Sequence, residues 1–238
     1  MIFELLTATV AFIAGIVAAI SGFGIGSLLT PLLSLVYGTK TAVAIVAIPH
    51  MIATTLRFWL IRKNLDMKIF LRFGLASSFG GLIGAGINVF LTAKWLGLVL
   101  GALLILAGCI NFLKNTPRLQ GPALLGGVLS GLFGGLVGNQ GGIRAAALLN
   151  FDLSKEAFIA VSTASALLVD GARLPVYLWF QGKAIFAETP LLLLLSVAVV
   201  FGTFAGMKIL KKINAALFKR LLSSLLIALG LFMFFRAI

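Results

Sequence analysis

Residues 138–150 read GNQGGIRAAALLN, with three glycines, two amides and an arginine set between hydrophobic runs. Earlier in the chain, residues 21–27 read SGFGIGS and interrupt an apolar stretch in the same way. The surroundings of both are too apolar for ordinary surface loops. The 238 residues are 61% hydrophobic and 11% charged, with a mean hydropathy of +1.17. Soluble domains average about 45–50% apolar and about 25% charged. The excess runs the whole length, without the period-two alternation of barrel strands. The expected fold class is therefore an all-α polytopic membrane protein. At roughly 20 apolar residues per spanning helix, the chain has room for about eight to ten membrane segments and no sizeable soluble domain.

Residues 2–20 read as the first helix. They have Glu4 and no basic leader, so a signal peptide is the weaker reading. The lone Cys109 lies in an apolar run and reads as a small buried hydrophobe. The net charge of +13 comes from cations that mostly sit between apolar runs. There they set orientation and meet anionic head groups, which excludes nucleic acid as a partner.

The chain is written twice. A shift of 116 positions puts Gly22 on Gly138, Gly26 on Gly142, Arg57 on Arg173 and Ile69-Phe70 on Ile185-Phe186. After an insertion, Gly80 and Gly84 match Gly202 and Gly206, and LLILAG (103–108) matches LLIALG (225–230). The expected halves are 1–115 and 121–238, with a linker at 116–120. Each has an apolar helix (2–20; 122–137), a glycine break (21–26; 138–142), a short helix (27–36; 143–151) and a polar turn (37–40; 152–155). A long helix (41–61; 156–180) and two more (69–91 and 95–113; 186–207 and 214–235) complete each half. Ten helical residues rise only about 15 Å, half the hydrocarbon thickness. Pro31 and Pro49 each remove a backbone donor and mark local distortion.

Charge sets the relation between the halves. Arg62, Lys63, Lys68 and Arg72 crowd one loop of the first half, and only Lys94 the next. In the second half the equivalent loops carry Lys183 alone, then Lys208, Lys211, Lys212, Lys219 and Arg220. Basic loops face the cytoplasm, so the bias predicts two inverted structural repeats with broken or re-entrant short helices. An odd number of crossings per half follows, in which the short helix is counted as part of a crossing. Such repeats, broken near the midplane, are typical of secondary transporters.

Irregular backbone survives at membrane depth only when it is buried in protein or lines a wet cavity. The start of each short helix aims free N–H groups and a positive dipole into its break. Brought together, the two breaks make an anion site from Ser21, Gly22, Gly24, Gly26 and Ser27 on one side. The other side supplies Gly138, Asn139, Gln140, Gly141, Gly142 and Arg144. Arg144 supplies a planar fork suited to carboxylate or sulfonate oxygens. The competing reading is that these glycines only allow close helix packing, the role assigned to GGLIG (80–84) and GTFAG (202–206). His50, the only histidine, either binds substrate and carries a proton or simply bonds a neighbouring helix. Asp170 and Arg173, three apart on one helix face, read as a neutralised pair or as a proton relay. Arg57 lacks such a partner and is placed near the basic end, where its stem can snorkel. The chain has no HExxH, CxxC, Walker loop or serine elbow, which speaks against an enzyme and a metal centre.

SGFGIGSLLTPLLSLVYGTKTAVA (21–44) resembles the first signature of the sulfite exporter TauE/SafE family. GNQGGIRAAALLNFDLSKEAFIAVSTASALLVDGARLPVYLWFQG (138–182) resembles the second-half signature of one of its branches. The resemblance spans nearly the whole chain and implies a transporter of sulfite, sulfonates, sulfoacetate or another small anion. Ile25 stands where a further glycine is common, and Ala147 at the place matching Pro31, so the halves are unequal. The expected function is a secondary permease working by alternating access at a midplane site. Alternatives are a passive anion channel and a non-transporting membrane subunit. The expected partners are a small anionic substrate, the lipid bilayer, protons as coupling ion and a second copy in a homodimer. No cofactor is expected. The expected location is the bacterial inner (plasma) membrane.

Overall fold

The computed structural model describes residues 2–21, 24–112, 122–209 and 215–238. Gly22, the 116–120 linker, Lys211 and Lys212 lie outside the described residues. The described chain is helical throughout. Helix α1 (Ile2–Ser21) leads to α2 (Ile25–Ile61), and a 3-10 turn at Arg62–Asn64 leads to α3 (Met67–Ile69). A π-turn (Phe70–Gly74) joins α3 to α4 (Leu75–Phe90), which is followed by α5 (Ala93–Phe112). The second part contains α6 (Ala123–Val137), α7 (Gly141–Leu148), α8 (Lys155–Ala187), α9 (Thr189–Ile209) and α10 (Ala215–Ala237). Local chemistry sets several boundaries. Asp66 accepts from the Ile69 N–H at 3.0 Å, and Ser154 from the Ala157 N–H at 3.1 Å; both are side-chain caps. Gly138 adopts φ 72° and closes α6 through its N–H to Gly134 O, a left-handed position that favours glycine.

Helix α2 is continuous only in name. Gly38, at φ 73° and ψ 156°, separates an arm at 25–37 from a long arm at 39–61. The chain reverses there. Tyr37 packs on Phe3, with ring centroids 6.5 Å apart, and donates to Glu188 at 2.9 Å. Arg57, far along the second arm, bonds Ala18 O near the end of α1. Helix α1 and residues 25–37 therefore form a hairpin that returns to the end where it began, and only residues 39–61 traverse the bundle. Helices α6 and α7 form a second hairpin from the opposite end: a Cβ on Gly126 would press on Ala147. Helix α7, of eight residues, is not among the helices long enough to span a bilayer.

Seven helices among the described residues are long and apolar enough to span a bilayer, with α6 apolar but shorter. That is fewer than the eight to ten expected, because α6 and α7 are too short and residues 25–37 run on into the long arm of α2. The breaks are also narrower than expected: Ile25, Gly26, Gly141 and Gly142 already belong to the first turns of α2 and α7. Helix α8 runs seven residues beyond Phe180 to Ala187, since Gly182 costs a helix only about 1 kcal/mol. Cys109 is exposed rather than buried; its face of α5 points outward.

Glycine makes the main interfaces. Helices α4 and α6 run side by side so closely that a Cβ on Gly80, Gly84, Gly131 or Gly135 would collide with a carbonyl oxygen opposite. Helices α1 and α9 meet in the same way through Gly15, Gly202 and Gly206, and α5 and α10 through Gly101 and Gly230. In lipid, where burying apolar side chains against one another gains little, close backbone approach supplies the packing. Bulky residues such as Phe79, Phe90, Trp179 and Phe201 point outward.

Candidate functional site

The tips of the two hairpins touch. A Cβ on Gly26 would collide with the carbonyl oxygen of Gly138, so a side chain there would push the breaks apart. Around this contact lies a void of about 10 Å³ lined by Gly24, Gly26, Ser27, His50, Gly138, Asn139, Gln140, Gly141 and Arg144. That is room for roughly one water. Of the residues singled out from sequence, these nine converge. Gly142 sits one residue further along α7, facing Ala107. Ser21 ends α1.

The donors at this contact are of two kinds. Helix α2 starts at Gly24 and α7 at Gln140, and neither N-terminus receives a side-chain cap. The opening N–H groups of a helix have no partner within it. Asn139 and Gln140 are buried; the Asn139 Nδ2 donor makes no hydrogen bond, nor does the Gln140 Oε1 acceptor. Arg144 is 2% exposed, and its Nε donates to Ser162 Oγ on α8 at 2.8 Å. The charge is thus held in place by a neutral hydroxyl.

Behind His50 stands an ionic network. Its Nδ1 lies 2.7 Å from Asp170 Oδ2, joining the long arm of α2 to α8. Asp170 is fully buried and also accepts from Arg173 Nε at 3.0 Å. Arg173 Nη1 then donates to Gly134 O at 2.9 Å, in the last turn of α6. Tyr177 donates to Gly135 O. The pairing of Asp170 with Arg173 read from sequence is present, and His50 is a third member that the spacing did not disclose. His50 bonds a neighbouring helix, one of the two roles weighed for it, and also lines the void.

Arg57 departs from expectation. It is only 6% exposed and does not snorkel. Its Nη1 donates to Ala18 O at 2.5 Å, holding the last turn of α1 as Arg173 holds that of α6. Both donors and both acceptors are 116 residues apart. Beside Arg57 a cavity of about 260 Å³ is lined also by Lys155, Ser162, Thr163 and Gly141. Sequence reasoning missed this cavity, although the alignment of Arg57 with Arg173 pointed to it. A further cavity, of about 330 Å³, lies at the opposite end against Gly38, Lys94 and Arg236. It shares no lining residue with the void.

Long apolar helices around a polar, glycine-lined contact define a membrane transporter. The sulfite exporter TauE/SafE family model matches residues 7–233, and the chain belongs to that family, which comprises transporters and not enzymes. It is 27% identical to a probable membrane transporter protein of Methanocaldococcus jannaschii, over 94% of this chain and 92% of the relative. No solved structure matches. The protein is an integral membrane protein of several spans.

Proposed function

We propose that this chain is a secondary transporter that carries a small organic or sulfur-containing anion, such as sulfite, a sulfonate or sulfoacetate, through the contact between the hairpin tips. The observation that carries this reading is the meeting of two uncapped helix N-termini with Asn139, Gln140, Arg144 and His50 around one void. Backbone N–H groups and a guanidinium suit oxyanions, and no carboxylate lines the void to compete. A void of about 10 Å³ is too small for such an anion, so transport requires the tips to part. That favours a carrier over an open pore.

The mechanism rests on two inverted repeats, about 1–115 and 121–238. Three observations support them. The Arg57–Ala18 and Arg173–Gly134 bonds match under one shift. The first helix of each part packs on the second long helix after the break of the other part, α1 on α9 and α6 on α4. The equivalent turns after residues 61 and 187 lie at opposite ends of the bundle. Rocking one hairpin against the other alternates access. Asp170, bonded to both His50 and Arg173, couples the hairpin tips to protonation through His50, the only histidine.

Thermal unfolding with sulfite, thiosulfate, taurine, sulfoacetate and carboxylate controls tests the site, together with counter-flow in sealed proteoliposomes. A ligand at a hundred times its Kd stabilises by about 2.7 kcal/mol. Arg144→Ala is expected to abolish both the stabilisation and the flux. Arg236→Ala, whose guanidinium bonds Leu35 O at the far end, is expected to keep both. The reverse pattern overturns the reading, and flux without counter-flow identifies a passive facilitator.

A further inference from the structure

Arg57 and Arg173 hold matching places and keep different company. Asp170 stands three residues before Arg173, and Thr54 three residues before Arg57. Nε of Arg173 donates to the Asp170 carboxylate at 3.0 Å. Nε of Arg57 is buried and has no hydrogen-bond partner. No ion pair to Arg57 is present among the described residues. A buried donor left unmade carries its full desolvation cost, larger for a charged group, so an acceptor at Arg57 would be held well.

The surroundings provide room for one. Arg57 borders the cavity of about 260 Å³, close to the size of small-molecule sites. Lys155 stands exposed at its edge, with Thr163 and Ser162 along its wall. Ser162 also accepts from Arg144, and Gly141 borders both this cavity and the void at the hairpin tips. The cavity therefore lies beside the void, at the end of the bundle where Arg62 and Lys63 begin the basic loop.

We propose that this cavity is a second anion station, in which an oxyanion of the substrate, whether sulfite itself, a sulfonate or a carboxylate, takes the place at Arg57 that the Asp170 carboxylate holds at Arg173. It rests on the transport reading above and adds a waiting position on the basic side. Lys155 draws the anion in by its charge. The Arg57 fork binds it, and Gly141 separates it from the hairpin tips until they part.

Thr54→Asp tests this directly, because it builds the missing carboxylate at the same three-residue spacing. Sulfite flux into proteoliposomes is measured against concentration, with acetate as competitor and Thr54→Asn as the neutral control. Thr54→Asp is expected to raise KM at least tenfold and to weaken competition by acetate, with a melting temperature at or above that of the parent. Thr54→Asn is expected to stay within twofold. If Thr54→Asp does not insert, Arg57→Lys decides instead. It keeps a donor for Ala18 O, loses the fork, and is expected to raise KM at least fivefold. A KM within twofold of the parent for the deciding variant, while flux persists and is still lost in Arg144→Ala, overturns the station and leaves the transport reading standing. Absence of flux for every anion in the parent protein overturns the transport reading itself.

Discussion

Asp170 is held by groups on different helices, the Arg173 guanidinium on its own α8 and the His50 ring on α2. Replacing it with Asn leaves Arg173 buried without its counter-charge, a change that costs about 3–5 kcal/mol. The melting temperature of purified Asp170→Asn is expected to fall accordingly. A double variant, Asp170→Leu with Arg173→Met, is expected to recover much of that loss while transport stays impaired, since apolar replacement of a whole buried pair is often tolerated. The intra-helix half of the network was legible, because three-residue spacing puts two side chains on one face. The bond to His50 spans 120 residues of sequence, and no local pattern encodes it. The same holds for Arg144: its suitability for an anion follows from its chemistry, whereas Ser162 as its anchor follows from the packing of α7 on α8.

At the scale of elements, glycine separates into two kinds. Gly131 and Gly135 sit where a Cβ would strike the carbonyl oxygens of Ser77 and Gly81. Gly171 has nothing within 4 Å of where its Cβ would be. Gly131→Leu is expected to force α4 and α6 apart and to lower the melting temperature by the equivalent of about 1–3 kcal/mol or more. Gly171→Ala is expected to leave stability unchanged or raise it by up to about 1 kcal/mol, the helix-propensity difference. Thermal unfolding of the two purified variants checks both. The packing role read for 80–84 and 202–206 agrees with these contacts. The turns at 138 and 38 were also legible, because their backbone angles suit glycine best. What the spacing could not reveal was the direction in which the chain leaves each break, which depends on the neighbours that the returning arm finds.

For the whole molecule, the hairpins enter from opposite ends and meet by their tips, and the loop cations follow the same division. Lys63 and Lys208 belong to the basic end, and Lys94 and Lys183 to the other, next to the carboxy-terminal residue and the α8–α9 turn. Single cysteines placed at these positions in a Cys109→Ser background are expected to label from opposite sides of sealed vesicles, 63 with 208 and 94 with 183. Labelling of 63 and 208 from different sides would contradict the inverted arrangement.

The all-helical apolar character, the two glycine breaks and the charge bias of the loops were set by the sequence alone, since each depends on a few consecutive residues: apolar runs, backbone angles open to glycine, cations beside apolar runs. Tertiary structure alone decided that the short arms turn back, that the tips close on a void of about 10 Å³, and that Arg57 is buried beside a cavity while Arg173 is neutralised. Those outcomes depend on which surfaces can approach within van der Waals contact, a property of the packed bundle and of no single segment.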